Sequence, residues 1–394
     1  MKVLQINSVC GYGSTGRIAY DLAKVLESNG HECFIAYGRG TAPNDVKTIK
    51  IGSDFHVKTH GSVSRLTDKH GFYSKSETKK LIDEIKKYDP DIIHLHNIHG
   101  YYINIELLFN YLSESNKKVV WTLHDCWAFT GHCSHFDYVG CDKWKTGCFH
   151  CPQKNRYPKS LLLDNSKWNY QKKKELFTSV KDMTIVTPSE WLAGLVRKSF
   201  LNQYPVKVIN NGIDLDVFKP TPGDFRKKYN LEDKFIILGV ASVWEERKGL
   251  NDFIKLSKMI DDKYKIVLVG LSKNQIKSLP KNILGIERTS NATELAGIYT
   301  EADVFVNPTY EDNFPTTNLE SIACGTPVIT YNTGGSVESV SEGCGSVVDK
   351  GDVLNIYKNI INFDDKKLDL KNCLKRSKKY NKTDKFKEYI KLYK

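Results

Sequence analysis

The sequence predicts an α/β protein of two Rossmann-like domains, each a parallel sheet covered by helices. Short apolar runs, among them Val3 to Asn7, Ile92 to Asn97, Phe235 to Val240 and Asp303 to Pro308, alternate with segments of helical period, the pattern of βαβ units. Several of these runs end in glycine-rich or polar turns, where an open parallel sheet presents its ligand edge. At 394 residues the chain is long for one compact domain, and a 40% hydrophobic content is enough for two cores.

The chain opens with the strand Val3 to Asn7, then Gly11-Tyr12-Gly13-Ser14-Thr15-Gly16-Arg17, then a helix through Ala19, Leu22, Ala23 and Leu26. Strand, glycine turn and helix make a phosphate or nucleotide cradle, because glycines allow close backbone approach and a helix N-terminus presents free N–H groups. The spacing is not the dinucleotide fingerprint, and the next strand, Glu32 to Tyr37, ends without an acid. Strands at Ile92 to Asn97 and Val119 to Leu123 follow. The second ends at His124-Asp125, a histidine at the ligand edge whose acidic neighbour can fix its tautomer. His94, His96 and His99 read as structural groups.

Between His124 and Tyr157 stand Cys126, Cys133, Cys141, Cys148 and Cys151, interleaved with histidines and aromatics. Cys148-Phe149-His150-Cys151 is a CxxC knuckle, and Cys133 with Cys141 supplies two more thiolates for a tetrahedral structural zinc. The competing expectation is a redox-inert or disulfide-forming loop. Further on, Ser189 is placed to cap a helix with Glu190 in its first turn. The strand Val206 to Ile209 then leads to Asn210-Asn211-Gly212-Ile213-Asp214, and the domain boundary is set near 215.

A fresh α/β pattern starts there. The strand Phe235 to Val240 runs into a turn carrying Arg247, Lys248 and Gly249, then a helix through Phe253 and Leu256. Strands at Ile266 to Val269 and near Ile283 to Ile286 lead to the run Asp303 to Pro308 and the loop Tyr310-Glu311-Asp312-Asn313-Phe314. A helix begins near Pro315, where a first-turn proline lacks only an N–H that the helix leaves unpaired anyway. Thr316 and Thr317 add hydroxyls to that anion-binding start, and Glu320 lies more than a turn inside. Asn332-Thr333-Gly334-Gly335 is another glycine turn at a strand end. Helices from Asp352, Lys366 and Thr383 finish the chain.

The net charge is +12, and the stretch from Lys366 to Lys394 alone carries +9. This stretch reads as a solvated helical face or as a surface attracted to an anionic membrane. No nucleic-acid motif accompanies the charge, so nucleic acid is not an expected partner. Apolar runs are too short to span a bilayer, and the opening Met1 to Ser8 lacks the long apolar block of a signal peptide. A cytoplasmic protein is expected, peripheral at the inner face of the membrane if the basic surface is used, with its ten cysteines as thiols or metal ligands.

Asp312, seven residues, then Glu320, with Ala323-Cys324-Gly325-Thr326-Pro327-Val328 behind, resembles the paired-acid motif of retaining GT-B glycosyltransferases of family 4. Asn-Gly-Ile-Asp with Phe218 four residues beyond resembles that family's interdomain linker. The resemblance implies the GT-B architecture: an acceptor-side domain over 1–214 carrying the cysteine loop 126–151, a donor domain over 215–380, and a last helix over 381–394 crossing back, which the amphipathic Phe386, Tyr389, Ile390 and Tyr393 permit. It implies domains facing a cleft, with Gly13, Gly16 and Arg17 near donor phosphate and acceptor. Lys248 matches the diphosphate-binding lysine. The family's arginine falls where Ser242 stands, and Arg247 is the nearest substitute. Glu320 would hold the ribose, Asp312 with the backbone of Asn313 and Phe314 the sugar, Thr316 the helix start, and His124 the reacting face. His124, Asp312 and Lys248 are thus the catalytic candidates. No catalytic metal is implied, only a nucleotide-sugar donor, UDP- or GDP-linked, and a glycan or lipid-linked acceptor in polysaccharide, capsule or lipopolysaccharide assembly. The family usually has Glu-Gly-Phe-Gly where this chain has Asp312-Asn313-Phe314-Pro315. A non-hydrolysing nucleotide-sugar 2-epimerase and a non-catalytic sugar-binding module are the alternatives.

Overall fold

The computed structural model describes residues 1–341, 343–366 and 370–394, with side chains 364–366 also left aside. Three positions of the basic C-terminal stretch, Lys367, Leu368 and Asp369, therefore lie outside the described residues, as does the side chain of Lys366. The chain divides into two compact units. One comprises Met1–Asn210 with Lys385–Lys394, the other Asn211–Asp384.

The first unit holds seven parallel strands, β1 (Lys2–Asn7), β2 (Glu32–Tyr37), β3 (Lys47–Lys50), β4 (Ile92–Leu95), β5 (Lys118–Thr122), β6 (Met183–Thr187) and β7 (Val206–Val208), in the order β3-β2-β1-β4-β5-β6-β7. Parallel sheets are covered on both faces, so their strands are apolar almost throughout rather than alternating. Val3 of β1 joins one core with Ile18, Leu22 and Leu26 of the helix Gly13–Ser28, while Leu4 and Ile6 join the other with Phe109, Trp121 and Phe177. The helix Lys382–Tyr393 contributes Phe386, Tyr389, Ile390 and Tyr393 to the first of these cores. Ser189 caps the helix Glu190–Val196, its Oγ accepting from Leu192 N–H at 3.2 Å.

The second unit holds six parallel strands: β8 (Phe235–Val240), β9 (Tyr264–Val269), β10 (Ile283–Ile286), β11 (Val304–Asn307), β12 (Val328–Tyr331) and β13 (Gly345–Val348), ordered β10-β9-β8-β11-β12-β13. In both sheets the order reverses once, between β1 and β4 and between β8 and β11. At such a reversal the two neighbouring strands send their connections to opposite faces, and a crevice opens at their carboxyl ends. Within each unit that edge is where chemistry-bearing residues are expected.

Candidate functional site

In the second unit the loops after β8 and β11 meet at the reversal point. Lys248 ends a short 3-10 turn, Glu246–Lys248, and its Nζ lies 2.6 Å from Asp312 Oδ2, with the two side chains 22% and 20% exposed. The loops are also laced through main chain: Tyr310 N–H donates to Arg247 O at 2.8 Å, and Arg247 Nη1 donates to Glu311 O at 3.4 Å. Arg247 Nε also meets Glu245 Oε2 at 3.1 Å. Gly249 has φ +78, and a Cβ there would run into the Pro308 carbonyl oxygen, so only glycine lets β8's loop sit this close to β11's. Gly334, at φ +51, makes the same kind of approach to the Asp312 carbonyl oxygen, and Gly335 N–H donates to that oxygen at 3.2 Å. The glycine turn after β12 thus holds the Asp312 loop from the other side.

The helix after this loop spans Thr316–Ala323, with Pro315 in extended backbone at its N-cap and Thr316 as its first residue. Asn313 and Phe314 are buried. The Phe314 ring packs against Tyr380 at 5.7 Å and its carbonyl oxygen accepts from Asn211 Nδ2 at 3.0 Å, so the side chain belongs to the core. Glu320 is 6% exposed, and its Oε2 accepts from the Tyr299 hydroxyl at 3.2 Å. Burial and the adjacent Glu320 push the Tyr299 hydroxyl well above its usual range, which keeps it a donor.

Sequence reasoning missed the residue that ties this edge together. Asp252, 3% exposed, accepts from Tyr310 at 2.7 Å and from Tyr331 at 2.9 Å on Oδ2, and meets Lys255 Nζ at 2.9 Å on Oδ1. A carboxylate between two tyrosines far apart in sequence leaves no local pattern to read.

In the first unit, the helix after β1 begins at Gly13, with Gly16 buried and Arg17 exposed on it. A Cβ on Gly16 would come 2.9 Å from a Val9 methyl, and Gly11 N–H donates to Gly16 O at 3.0 Å, which gives the turn its tight shape. His124 follows β5 directly. Its Nε2 lies 3.1 Å from His96 Nδ1, and His96 Nε2 lies 2.8 Å from Gln5 Oε1. Gln5 Nε2 donates to Ala19 O at 2.9 Å, which orients the amide and leaves Oε1 as acceptor. His96 therefore donates from Nε2 and accepts at Nδ1, and His124 donates from Nε2 and keeps its proton off Nδ1. Burial lowers the pKa of His124 to about 4 and that of His96 well below its usual value, so both rings are neutral.

Asp125 does not orient His124, as its position in sequence suggested. Its Oδ2 meets His99 Nε2 at 2.8 Å and its Oδ1 accepts from Trp127 N–H at 2.9 Å. Burial alone would raise this carboxyl, but His99 opposes it and the pKa falls to about 2. The neighbouring side chain points to β4's loop, and the tautomer comes instead from His96, which lies opposite on the adjacent strand's edge.

Cys133, Cys141, Cys148 and Cys151 line one small cavity with Phe136, Trp144 and other neighbours. Cys133 and Cys151 are hydrogen-bonded to each other, Cys148 Sγ accepts from Gly131 N–H at 3.1 Å, and none of the ten cysteines, all described, is in a disulfide. Among the described residues no group of three or more His, Cys, Asp or Glu side chains is placed to hold a metal ion. The loop is packed by aromatic rings, Phe136 stacking on Trp144 at 5.0 Å, and by the buried Lys173, which donates to Trp127 O at 2.8 Å and Thr130 O at 3.1 Å. No described helix is long and apolar enough to cross a membrane.

Residues 15–217 match the family model "Glycosyltransferase Family 4", and residues 223–382 match "Glycosyl transferases group 1". The chain is 24% identical over 373 residues to a putative colanic acid biosynthesis glycosyl transferase, WcaC, of Escherichia coli K12, the match covering 91% of this chain and 90% of that protein. Among solved structures, sucrose-phosphate synthase from Thermosynechococcus elongatus aligns with a TM-score of 0.73 at 18% identity, covering 100% of this chain and 98% of that one. Anabaena HepE in complex with UDP-glucose aligns with a TM-score of 0.70 at 14% identity, covering 100% and 99%. These two share the GT-B fold with this chain. With a family model covering more than half of its length, the chain belongs to glycosyltransferase family 4.

Proposed function

We propose that the protein transfers a glycosyl unit from a nucleotide-diphosphate sugar to a hydroxyl acceptor, with retention at the anomeric carbon, in the assembly of a cell-surface polysaccharide. The observation that carries this reading is the pairing of Lys248 with Asp312 at the β8/β11 reversal, in the loop that leads into the helix of the buried Glu320. A cation and two carboxylates at such an edge suit the three parts of a nucleotide sugar. Lys248, helped by Arg247, faces diphosphate; Asp312 with the Asn313 backbone meets sugar hydroxyls; Glu320 accepts from ribose hydroxyls. Lysine has three donors, so Lys248 can keep Asp312 while it binds phosphate oxygens.

In the reaction, the bond from the anomeric carbon to the leaving phosphate oxygen breaks. The acceptor oxygen bonds to the same face, and its proton passes to the leaving phosphate. No protein nucleophile is needed. Lys248 stabilises the charge that grows on the diphosphate, which makes its contribution larger in the transition state than in the ground state. His124, neutral, would lie against the reacting face of the sugar. Gly13, Gly16 and Arg17 would serve phosphate and acceptor, and the first unit would recognise the acceptor, a lipid-linked glycan. HepE is seen with UDP-glucose, and the UDP-sugars are the first donors to try.

The test is steady-state turnover with donor and acceptor fractions. Glu320→Ala and Lys248→Ala should each lower kcat/KM by about 1 to 3 kcal/mol of transition-state stabilisation, the loss of a charge-assisted hydrogen bond. Wild-type rates in both variants would remove these assignments. Interconversion of the donor without any acceptor would point instead to an epimerase.

A further inference from the structure

Between the thiol loop and the helix Ser166–Phe177 the chain crosses the surface of the first unit, and here apolar side chains are not buried. Leu161, Leu162 and Leu163 are 53%, 67% and 52% exposed. Single exposed leucines are ordinary on any protein, but three in succession are not. Their backbone is held in place. Leu161 N–H donates to Arg65 O at 2.7 Å, Ser160 Oγ to Leu163 O at 2.6 Å, and Lys154 Nζ to Leu162 O at 3.3 Å. The first of these bonds brings the loop to the end of the helix Asp54–Thr67, where Leu66 is also exposed.

Cations flank the leucines along the chain or meet their backbone: Lys154, Arg156 and Lys159 precede them, and Arg65 lies where Leu161 bonds, all exposed except the half-buried Lys154. Residues 152–164 contain one acid, Asp164, whose oxygens already accept from Cys151 N–H at 2.7 Å and Ser166 Oγ at 2.5 Å. Three apolar side chains on a narrow loop and one at a helix end fall well short of the roughly 800 Å² per partner that a stable protein interface buries. They do suit insertion to the shallow depth of an interfacial anchor, where apolar groups reach the acyl boundary and neighbouring Lys and Arg meet lipid phosphates.

We propose that Leu161, Leu162 and Leu163, with Leu66 and the neighbouring cations Arg65, Lys154, Arg156 and Lys159, form a docking surface for an anionic lipid bilayer. This would bring the first unit to a lipid-linked acceptor, and in that sense it deepens the transfer reading, although the surface stands on its own geometry.

The experiment is co-sedimentation of the full chain with phosphatidylcholine vesicles, with and without phosphatidylglycerol, in the absence of any donor. Wild type should bind the phosphatidylglycerol vesicles and lose binding as salt rises. The triple variant Leu161→Ser, Leu162→Ser, Leu163→Ser should bind at least about tenfold more weakly. The double variant Arg156→Glu, Lys159→Glu, which leaves the bond from Lys154 to Leu162 O in place, should no longer distinguish the two vesicles. Because these side chains are exposed, both variants should melt at the wild-type temperature, which separates lost docking from lost fold. Equal vesicle binding by wild type and the serine variant overturns the proposal, as does no binding to either vesicle. Concentration-dependent dimerisation that the serine variant abolishes would also overturn it, assigning the leucines to a second copy of the chain. Since no donor is present, failure here is distinct from failure of the transfer reading.

Discussion

At the scale of single residues, His124 is prepared by its neighbours rather than by its own environment alone. Gln5, anchored on Ala19 O, passes a fixed donor and acceptor order through His96 to His124. The expected tautomer carries the proton on Nε2, and nitrogen-15 spectra of histidine-labelled protein at neutral pH should show it. His96→Leu removes the acceptor and should leave His124 in a mixture of tautomers, whereas His96→Asn, which can still accept, should restore a single form. A proton on Nδ1 in the wild type would contradict this chain of bonds. His124 itself was visible in the sequence because it ends an apolar run. Its partners were not, since Gln5 and His96 are brought together by β1 and β4 pairing across more than eighty residues.

At the scale of elements, the site in the second unit depends on close approach of three loops. The glycine turns were legible as turns, yet what each one approaches was not, because that depends on strand order. Gly249→Ala and Gly334→Ala each place a Cβ against a carbonyl oxygen in left-handed backbone. Each should cost about 1 to 3 kcal/mol of stability and weaken donor binding as well, read by chemical denaturation and by donor titration. Wild-type stability in both would show that the loops move apart without cost. The Asp252 cluster was illegible for the same reason as the histidine relay: Tyr310 and Tyr331 reach it from β11's and β12's ends, 58 and 79 residues away. The cysteine loop shows the opposite case, where a conspicuous sequence pattern gathers four thiols around one cavity without placing three groups to hold an ion.

At the scale of the whole molecule, the alternation of apolar runs and helices announced two parallel sheets, because strands buried on both faces need no alternation of their own. The first unit also buries an unusual number of neutral histidines. Burial lowers His60 and His94 to about 3 and His124 to about 4, with His70 and His96 also well down. Their unfolded values lie near 6.5, so the unfolded chain binds protons that the folded one refuses. The histidine contribution to stability should therefore be full above about pH 6.5 and be lost as the pH drops toward 4, on the order of 1 kcal/mol per histidine per pH unit. Asp125, held near about 2, adds a second loss below the ordinary carboxylate range. Melting temperatures at pH 7 and pH 5 check the first window, and equal values would contradict it. The central claim, a nucleotide-sugar site at the β8/β11 reversal, is tested most directly by melting wild type and Lys248→Ala against UDP-, GDP-, ADP-, CMP- and dTDP-sugars, because a ligand bound only by the folded state raises the melting temperature. A nucleotide-sugar site there requires a rise with one nucleotide that Lys248→Ala reduces; no rise with any of them, or the same rise in the variant, would contradict it.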